Sequence, residues 1–267
     1  WSPFARTMNV SLANGAEGYI PPPEQHALGG YTTWPARTAA LEVDAEPKIV
    51  ETLLGLLEGV AGAPRRPFTE PDCAYARAVL ASKPTAYWRL GEFSGPRAHD
   101  ASGQGRHAVF EGGVALHLDG PPLVGSANRA IQTAGGRLKG DVELGDIWTA
   151  DFWFWNGYPP LRPELGQLMD VLGLNREGLL SLGGAQGKST VAPKTWHHLA
   201  VVREGLKVKA YLDGEPDLEG VLREGIRFDL GVGPPGTPAF EGRLDEVAVY
   251  PRALSPEEIQ GHFKASR

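Results

Sequence analysis

The stretch "TWHHLAVVREGLKVKAYLDG" (residues 195–214) decides the fold of this chain. In its second half, apolar side chains recur at every second residue, at Leu206, Val208, Ala210 and Leu212. A period of two residues is typical of a half-buried β-strand. A turn at Glu204-Gly205 precedes this strand and Asp213-Gly214 closes it, so the segment predicts two antiparallel strands.

Further short segments have strand character. They are "DIWTADFWFW" (146–155), "IRFDLGV" (226–232) and "GRLDEVAVY" (242–250). The 35 glycines and 23 prolines are spread along the chain, which suits many turns between short strands. Strands this short and this regularly punctuated predict an all-β sandwich rather than βαβ units.

A helix is predicted at the end of the chain, in "SPEEIQGHF" (255–263). Ser255 is a favourable N-cap, Pro256 suits the first helical position, and Glu258 completes a capping box. Ile259 and Phe263 are four residues apart, so they form an apolar side that can pack on the sandwich.

The first part of the chain has a different organisation. "AEPKIVETLLGLLEGV" (45–60) has apolar residues at helical spacing and predicts an amphipathic helix. "AGAPRRPFTEP" (61–71) has three prolines and no apolar period, which is typical of a linker. We therefore expect a loop-plus-helix segment at 1–60, a linker at 61–71 and a β domain at 72–267. Because the chain begins with Trp1, we also expect it to be a piece of a longer protein.

The composition excludes several classes of function. The net charge of the 267 residues is −6 and there is no basic stripe, which argues against a nucleic-acid partner. No apolar run approaches the ~18 residues of a transmembrane segment. With Cys73 as the only cysteine, no intrachain disulfide can form, so cysteine usage leaves the redox compartment undecided.

Five ordered motifs in residues 75–265 resemble the laminin-G-like, concanavalin A-like jelly-roll family in its bacterial form. The motifs are "YARAVLASKPTAYWRLGE" (75–92), "AHDASGQGRHAVFEGG" (98–113), "DFWFWNG" (151–157), the stretch quoted first, and "GRLDEVAVYPRALSPEEI" (242–259). The resemblance implies two curved antiparallel sheets packed face to face. It also implies a binding module for carbohydrate or protein, calcium in some members, and a secreted, periplasmic or cell-surface location.

Residues 12–60 are similar to the C-terminal end of the neutral ceramidase catalytic domain. The shared features are Asn14, "GYIP" (18–21), "GGY" (29–31) and the helix that follows. The resemblance implies that Tyr19 completes a zinc site whose other ligands lie in a missing upstream catalytic domain, so zinc belongs to the parent enzyme only. The chain departs from the family pattern at Ala16 and Thr32. The alternative is that Tyr19 is an ordinary loop tyrosine.

Two aspartates are candidate calcium ligands. Asp245 shares strand parity with Val247 and Val249, so its carboxylate is expected on the core side, where it needs donors or a cation. Asp100 lies in the glycine-rich turn "DASGQG", whose carbonyl oxygens suit Ca²⁺. The alternative is that both carboxylates accept backbone N–H bonds in turns.

Trp153 and Trp155 lie on one face of a predicted strand. They form either a platform on which a sugar stacks or part of the apolar core. A glucanase needs two carboxylates on one face of a strand. Glu241 and Asp245 come nearest to that arrangement, but Glu246 points the other way. An acid/base pair is therefore poorly supported.

The sequence as a whole predicts a non-catalytic module that binds a glycan or glycolipid, attached to the tail of a ceramidase-like zinc amidohydrolase. The alternative is a fragment of a zinc-dependent amide or ester hydrolase in which the jelly roll is purely structural. We expect the chain alone to be inactive, because it shows no complete acid, base or metal constellation.

Overall fold

The computed structural model describes residues 2–11, 15–16, 18–66, 72–125, 127–157, 165–223, 225, 228–232 and 236–267. The chain divides into two compact units, Trp1–Glu70 and Pro71–Arg267. The predicted linker falls partly outside the described residues, because 67–71 are not among them. Described helices make up the regular structure of the first unit, whereas the second unit is mainly β.

The first unit contains α1 (Pro23–Leu28), a 3-10 turn (Tyr31–Thr33) and α2 (Ala45–Ala61). The helix predicted at 45–60 is thus confirmed as α2. It ends where Gly62 adopts the left-handed backbone at φ +60°, which glycine tolerates best. Among the residues of this unit whose burial is described, Ala45 is the only buried one. Apolar side chains of α2 remain exposed, for example Leu53 at 54% and Leu56 at 62%.

The second unit begins with one helix, continues through sixteen described strands and ends with another helix. The elements are α3 (Ala74–Ala81), β1 (Ala86–Trp88), β2 (Arg97–Ala98), β3 (Ala108–Glu111), β4 (Val114–Asp119), β5 (Arg129–Ala134), β6 (Arg137–Gly140), β7 (Ile147–Asn156), β8 (Leu165–Met169), β9 (Leu172–Leu174), β10 (Leu180–Leu182), β11 (Ala185–Gln186), β12 (Trp196–Glu204), β13 (Lys207–Leu212), β14 (Glu215–Val221), β15 (Asp229–Leu230), β16 (Glu241–Tyr250) and α4 (Pro256–Ala265).

These strands form two antiparallel sheets of eight strands each. The large sheet has the order β14-β13-β12-β7-β16-β5-β4, with β1 also paired to β16. The small sheet has the order β11-β10-β9-β8-β15-β6-β3-β2. The predicted fold, a mainly β, two-sheet antiparallel jelly-roll sandwich of the concanavalin A type, is confirmed.

The stretch at 195–214 forms the hairpin that its alternation predicts. β12 and β13 pair from Leu199↔Leu212 to Glu204↔Lys207, and Gly205 takes a left-handed backbone at φ +64° in the turn between them. The segments predicted at 146–155 and 242–250 are the long strands β7 and β16, which pair with each other. In the segment predicted at 226–232, the described strand is the short β15.

The large sheet is buried on both faces. Its inner face packs against the small sheet through an apolar core whose largest members include Trp88, Trp148, Phe152, Phe154, Phe228 and Phe240. Its outer face is covered by α3 and α4, and the apolar part of that layer includes Tyr75, Val79, Trp153, Tyr250 and Ile259. The predicted capping box of α4 is confirmed, with Ser255 as N-cap and Glu258 as its partner.

A β-bulge in β16 changes which way Asp245 points. The register with β7 shifts between Asp245 and Ala248, and Glu246 has a left-handed backbone at φ +51°. Asp245 lies directly opposite Trp153, whose side chain belongs to the outer layer. The carboxylate is buried, as predicted, but the prediction that Asp245 shares the face of Val247 and Val249 was wrong, because strand parity does not carry across an extra residue.

Candidate functional site

A carboxylate is buried between the large sheet and the helices that cover it. Oδ1 of Asp151 accepts hydrogen bonds from the Tyr75 hydroxyl (3.0 Å) and from His198 Nε2 (2.8 Å), and its Oδ2 lies 3.0 Å from His262 Nδ1. Burial alone would raise the pKa of Asp151, but the two imidazoles outweigh it and lower that pKa below its ordinary value. Asp151 is thus an anion that connects β7 to residues of α3, β12 and α4.

His262 extends this network to Ser82, whose Oγ lies 2.9 Å from His262 Nε2. Burial lowers the pKa of His262, but Asp151 raises it and prevails, so the pKa lies above its ordinary value. Ser82, His262 and Asp151 are in the order of a serine-hydrolase triad. However, the backbone N–H groups of Ser82 and Lys83 bond to carbonyls in the last turn of α3. These N–H groups already donate hydrogen bonds, and they lie at the negative end of the helix dipole. They therefore cannot stabilise an oxyanion.

A second buried charge pair lies in the same outer layer. Arg89 Nη2 lies 2.9 Å from Glu246 Oε1, and the Tyr87 hydroxyl donates to the same carboxylate. The side chain of Arg89 is 6% exposed and that of Glu246 is fully buried. Such pairs define geometry more than they add stability, because desolvation offsets much of their attraction.

Asp245, beside this pair, is fully buried and incompletely satisfied. Asn128 Nδ2 donates to its Oδ2, whereas its Oδ1 has no hydrogen-bond partner among the described residues. Burial, reinforced by the charge of Glu246, raises the pKa of Asp245 well above its ordinary value. The carbonyl of Pro121 lies 3.5 Å from the same Asn128 amide nitrogen. The Asn128 amide thus bridges Asp245 Oδ2 and the Pro121 carbonyl, and Oδ1 of Asp245 is left unsatisfied.

Asp100 has a different environment. Its carboxylate accepts bonds from the backbone N–H groups of Tyr87, Ser102 and Arg106 and from the Ser102 hydroxyl, at 2.8–3.0 Å. Burial opposes ionisation of Asp100, but these donors prevail and lower its pKa. Four donors leave little lone-pair capacity for a cation. Among the described residues, no group of three or more His, Cys, Asp or Glu side chains is placed to hold a metal ion.

The two tryptophans of the predicted sugar platform have unequal exposure. Trp153 is 6% exposed and packs against Tyr75 at 6.1 Å, and against Phe263 of α4 at 6.1 Å with the rings stacked. Its ring is thus covered by both helices. Trp155 is half-buried, and the guanidinium of Arg243 lies over its ring at 4.9 Å from the centroid. Of these two rings, the one that a sugar could reach on this strand face is that of Trp155.

Tyr19 lies in the first unit, where it is 43% exposed. Its backbone N–H donates to the Thr38 carbonyl at 2.8 Å, and its ring meets that of Tyr31 edge-on at 5.7 Å. Asn14, the other loop residue in the ceramidase resemblance, is outside the described residues. The role of Tyr19 as a zinc ligand in a parent enzyme stays a prediction.

A cavity of about 570 Å³ opens at one end of the sandwich, and we call it the end pocket. Its walls come from the β6–β7 loop, the start of β7, the end of β16 and the segments around Thr85 and Arg106. The loop supplies Asp141, Val142, Glu143, Leu144 and Gly145. Trp148 also lines the cavity. It is 1% exposed, and its indole Nε1 has no hydrogen-bond partner among the described residues.

The end pocket could not be predicted from the sequence, because four separate segments of the chain build it. One signal was present: in "DVEL" (141–144), carboxylates alternate with apolar side chains just before β7. That pattern resembles an ordinary strand edge, so only the packing of the loop against the segments around Thr85 and Arg106 shows that it is a wall of a cavity.

Comparisons with known proteins agree with this architecture. Residues 177–260 match the family described as the concanavalin A-like lectin/glucanases superfamily. No curated protein is significantly similar to the chain. One similar structure is domain 4 of AbnA, a GH43 extracellular arabinanase from Geobacillus stearothermophilus, in complex with arabinotriose. It is 21% identical in sequence and has a TM-score of 0.51. The match covers 69% of this chain and 98% of that domain.

The sialidase of Trypanosoma rangeli is also similar in structure, with 14% identity and a TM-score of 0.51 over 67% of this chain and 32% of the sialidase. The chain thus spans about a third of the sialidase. Together, these similarities establish a concanavalin A-like lectin/glucanase fold. None of them supports the predicted resemblance of residues 12–60 to ceramidases. Within the described residues, no helix is long and apolar enough to cross a membrane.

Proposed function

We propose that the sandwich unit is a non-catalytic carbohydrate-binding module and that a glycan binds in the end pocket. The indole N–H of Trp148 carries this proposal: it is a buried donor without a partner among the described residues, and it belongs to a residue that lines the cavity. Buried donors are nearly always satisfied, so an unpaired donor on a residue that lines a cavity calls for a ligand or a water. The arabinotriose bound by the similar arabinanase domain supports a sugar as the ligand class.

The chemistry of the end pocket suits a sugar. Val142, Leu144 and Val249 provide apolar surface for the C–H groups of a pyranose or furanose ring. Carboxylates accept hydrogen bonds from hydroxyl groups, and the Trp148 N–H donates one. The cavity volume lies within the roughly 300–1,000 Å³ of typical ligand sites.

Isothermal titration of the full chain with arabinotriose, followed by a panel of neutral oligosaccharides, tests the proposal. Trp148→Phe retains an aromatic ring but removes the N–H, and should weaken binding by about tenfold, the loss expected for one buried hydrogen bond of about 1.4 kcal/mol. Trp153→Phe is the matched control, because that indole Nε1 is also buried and without a partner among the described residues, but lies in the outer layer.

A third variant separates the end pocket from the platform predicted from the sequence. Trp155→Ala should leave affinity unchanged if the glycan binds in the end pocket. If Trp155→Ala abolishes binding while Trp148→Phe does not, the strand face is the site. Absence of binding to the whole panel would contradict a glycan-binding function.

Calcium in the sandwich is part of the proposal, with Asp245 as the ligand that the geometry favours. The unsatisfied Oδ1 of the buried Asp245 has lone pairs left for a hard cation, whereas the carboxylate of Asp100 already accepts four hydrogen bonds. Bound calcium would supply positive charge to a buried carboxylate.

Attachment of the module to a ceramidase-like zinc amidohydrolase is a separate proposal, as is a secreted or cell-surface location. It rests on residues 12–60 alone, where the ring of Tyr19 is partly exposed and therefore accessible to a ligand. Two observations on the parent protein would support it. One is upstream sequence with metal-spaced histidines, and the other is loss of ceramide-analogue hydrolysis in the variant Tyr19→Phe. Hydrolysis that Tyr19→Phe leaves intact would contradict the role of this residue.

A further inference from the structure

The charged side chains of the end pocket are not engaged elsewhere. Asp141, Glu143 and Arg106 line it, and within the described part of the chain none of these three side chains forms an ion pair or a hydrogen bond. Glu111, in contrast, pairs with Arg137 and Lys139. The residues that line the end pocket thus include two with unpaired carboxylates and one with an unpaired guanidinium.

From this inventory, and resting on the proposed glycan-binding function, we infer that the end pocket selects neutral glycans and rejects acidic ones. A neutral sugar presents hydroxyl groups that both donate and accept. They can donate to Asp141 and Glu143 while accepting from Trp148 and Arg106. These four side chains then gain partners without a change in charge.

An acidic sugar meets a less favourable wall. Its carboxylate can pair with Arg106, but it also lies beside Asp141 and Glu143, and like charges brought together at an interface are costly. The net charge of −6 on the whole chain adds repulsion at long range. Because the carboxylates are solvent-exposed, this repulsion is screened by salt over a Debye length of about 8 Å at physiological ionic strength.

The test compares neutral and acidic members of matched pairs on the full chain: galactotriose against trigalacturonate, and lactose against sialyllactose. At low salt, the acidic member of each pair should bind at least about tenfold more weakly, a ratio equivalent to about 1.4 kcal/mol. Raising the salt concentration to about 0.5 M should narrow that ratio by screening the repulsion.

The double variant Asp141→Asn/Glu143→Gln should increase affinity for the acidic glycans and bring the ratio towards one. Glu177→Gln/Glu257→Gln is the control, since it changes the net charge equally at exposed residues that do not line the end pocket. This control variant should leave the ratio of neutral to acidic glycan affinity unchanged.

The possible outcomes separate the two proposals. If neither member of any pair binds, the glycan-binding function fails and this inference fails with it. If glycans bind but the acidic member binds as tightly as the neutral one, or if the double variant leaves the ratio unchanged, selection by Asp141 and Glu143 is wrong while glycan binding stands.

Discussion

The two faces of the large sheet are both buried, yet they are built from different chemistry. The inner face, against the small sheet, carries apolar side chains such as Phe152, Phe154, Val201 and Val249. The outer face, under α3 and α4, also has apolar members, but among them lie the fully buried titratable residues Asp151, His198, Asp245 and Glu246. This difference in chemistry depends on whether a sheet or a pair of helices covers the face.

A sheet facing a sheet is positioned by its strand ladders, so its core needs only volume and apolar surface. Helices of eight and ten residues, the lengths of α3 and α4, are marginal alone in water. They gain position from directional bonds, and Asp151 bonds to Tyr75 of one helix and His262 of the other. We infer that apolar contacts stabilise the packing of the two helices on the sheet, and that the buried charges fix the orientation of these helices.

Removing one partner of the buried pair should have the largest effect. Arg89→Met leaves the Glu246 carboxylate buried without its guanidinium, and should lower the free energy of unfolding by about 3–5 kcal/mol. Urea denaturation measures this loss. The double variant Arg89→Met/Glu246→Gln removes both charges and should recover most of it. A loss below about 1 kcal/mol in the single variant would contradict the idea that this pair is buried.

Calcium should act on the outer layer only, through Asp245. At ~100 times its dissociation constant, Ca²⁺ should raise the free energy of unfolding by about 2.7 kcal/mol. Asp245→Asn should abolish that gain and Asp100→Asn should preserve it. Thermal melts with calcium and with a chelator measure the effect. Identical melts would leave Asp245 as a hydrogen-bonded carboxylate without a metal.

Loss of the central anion should destabilise the outer layer by a smaller amount. Asp151→Asn removes one acceptor oxygen from a set of buried donors, at a cost of about 1–3 kcal/mol. The pKa of His262 is raised in the folded protein, so the stabilisation of its protonated form is fully present below the unfolded pKa of about 6.5. This stabilisation is lost as the pH rises through the pKa that His262 has in the folded protein.

The difference in stability between wild type and Asp151→Asn should therefore be larger at about pH 5.5 than at about pH 8.5, by urea denaturation at both values. The depressed pKa of Asp151 keeps its own contribution in place until the solution is far more acidic. Asp213→Asn is the control, because Asp213 pairs with His197 in a more exposed position. An effect of Asp151→Asn that grows towards alkaline pH would contradict the assignment.

The smallest effect is expected on the inner face. Ile131→Val removes one methylene group from the apolar core and should cost about 0.5–1.5 kcal/mol. Because no titratable group takes part, this cost should be the same at the acidic and the alkaline pH used for Asp151→Asn. A marked pH dependence would mean that the two faces are not chemically separate.

Much of the fold could be predicted from local patterns. The alternation at 206–212 identified β13, the turn at Gly205 set its pairing with β12, and the Ser255–Glu258 capping box located α4. The candidate site was less accessible. Parity placed Asp245 on the wrong face, since the bulge at Glu246 has no reliable signature in one sequence. The choice between platform and core for Trp153 stayed open, because nothing in the sequence shows that Phe263 covers its ring.

The sequence by itself determined the strands, the turns, the closing helix and thereby the class of fold, because periodicity, capping and turn chemistry act over a few residues. Tertiary structure alone decided which charges meet. Arg89 and Glu246 are 157 residues apart along the chain, and Asp151 and His262 are 111 apart. The end pocket likewise joins Arg106, Trp148 and Val249. Such contacts depend on the packing of whole layers, and no local pattern records which distant side chains that packing brings together.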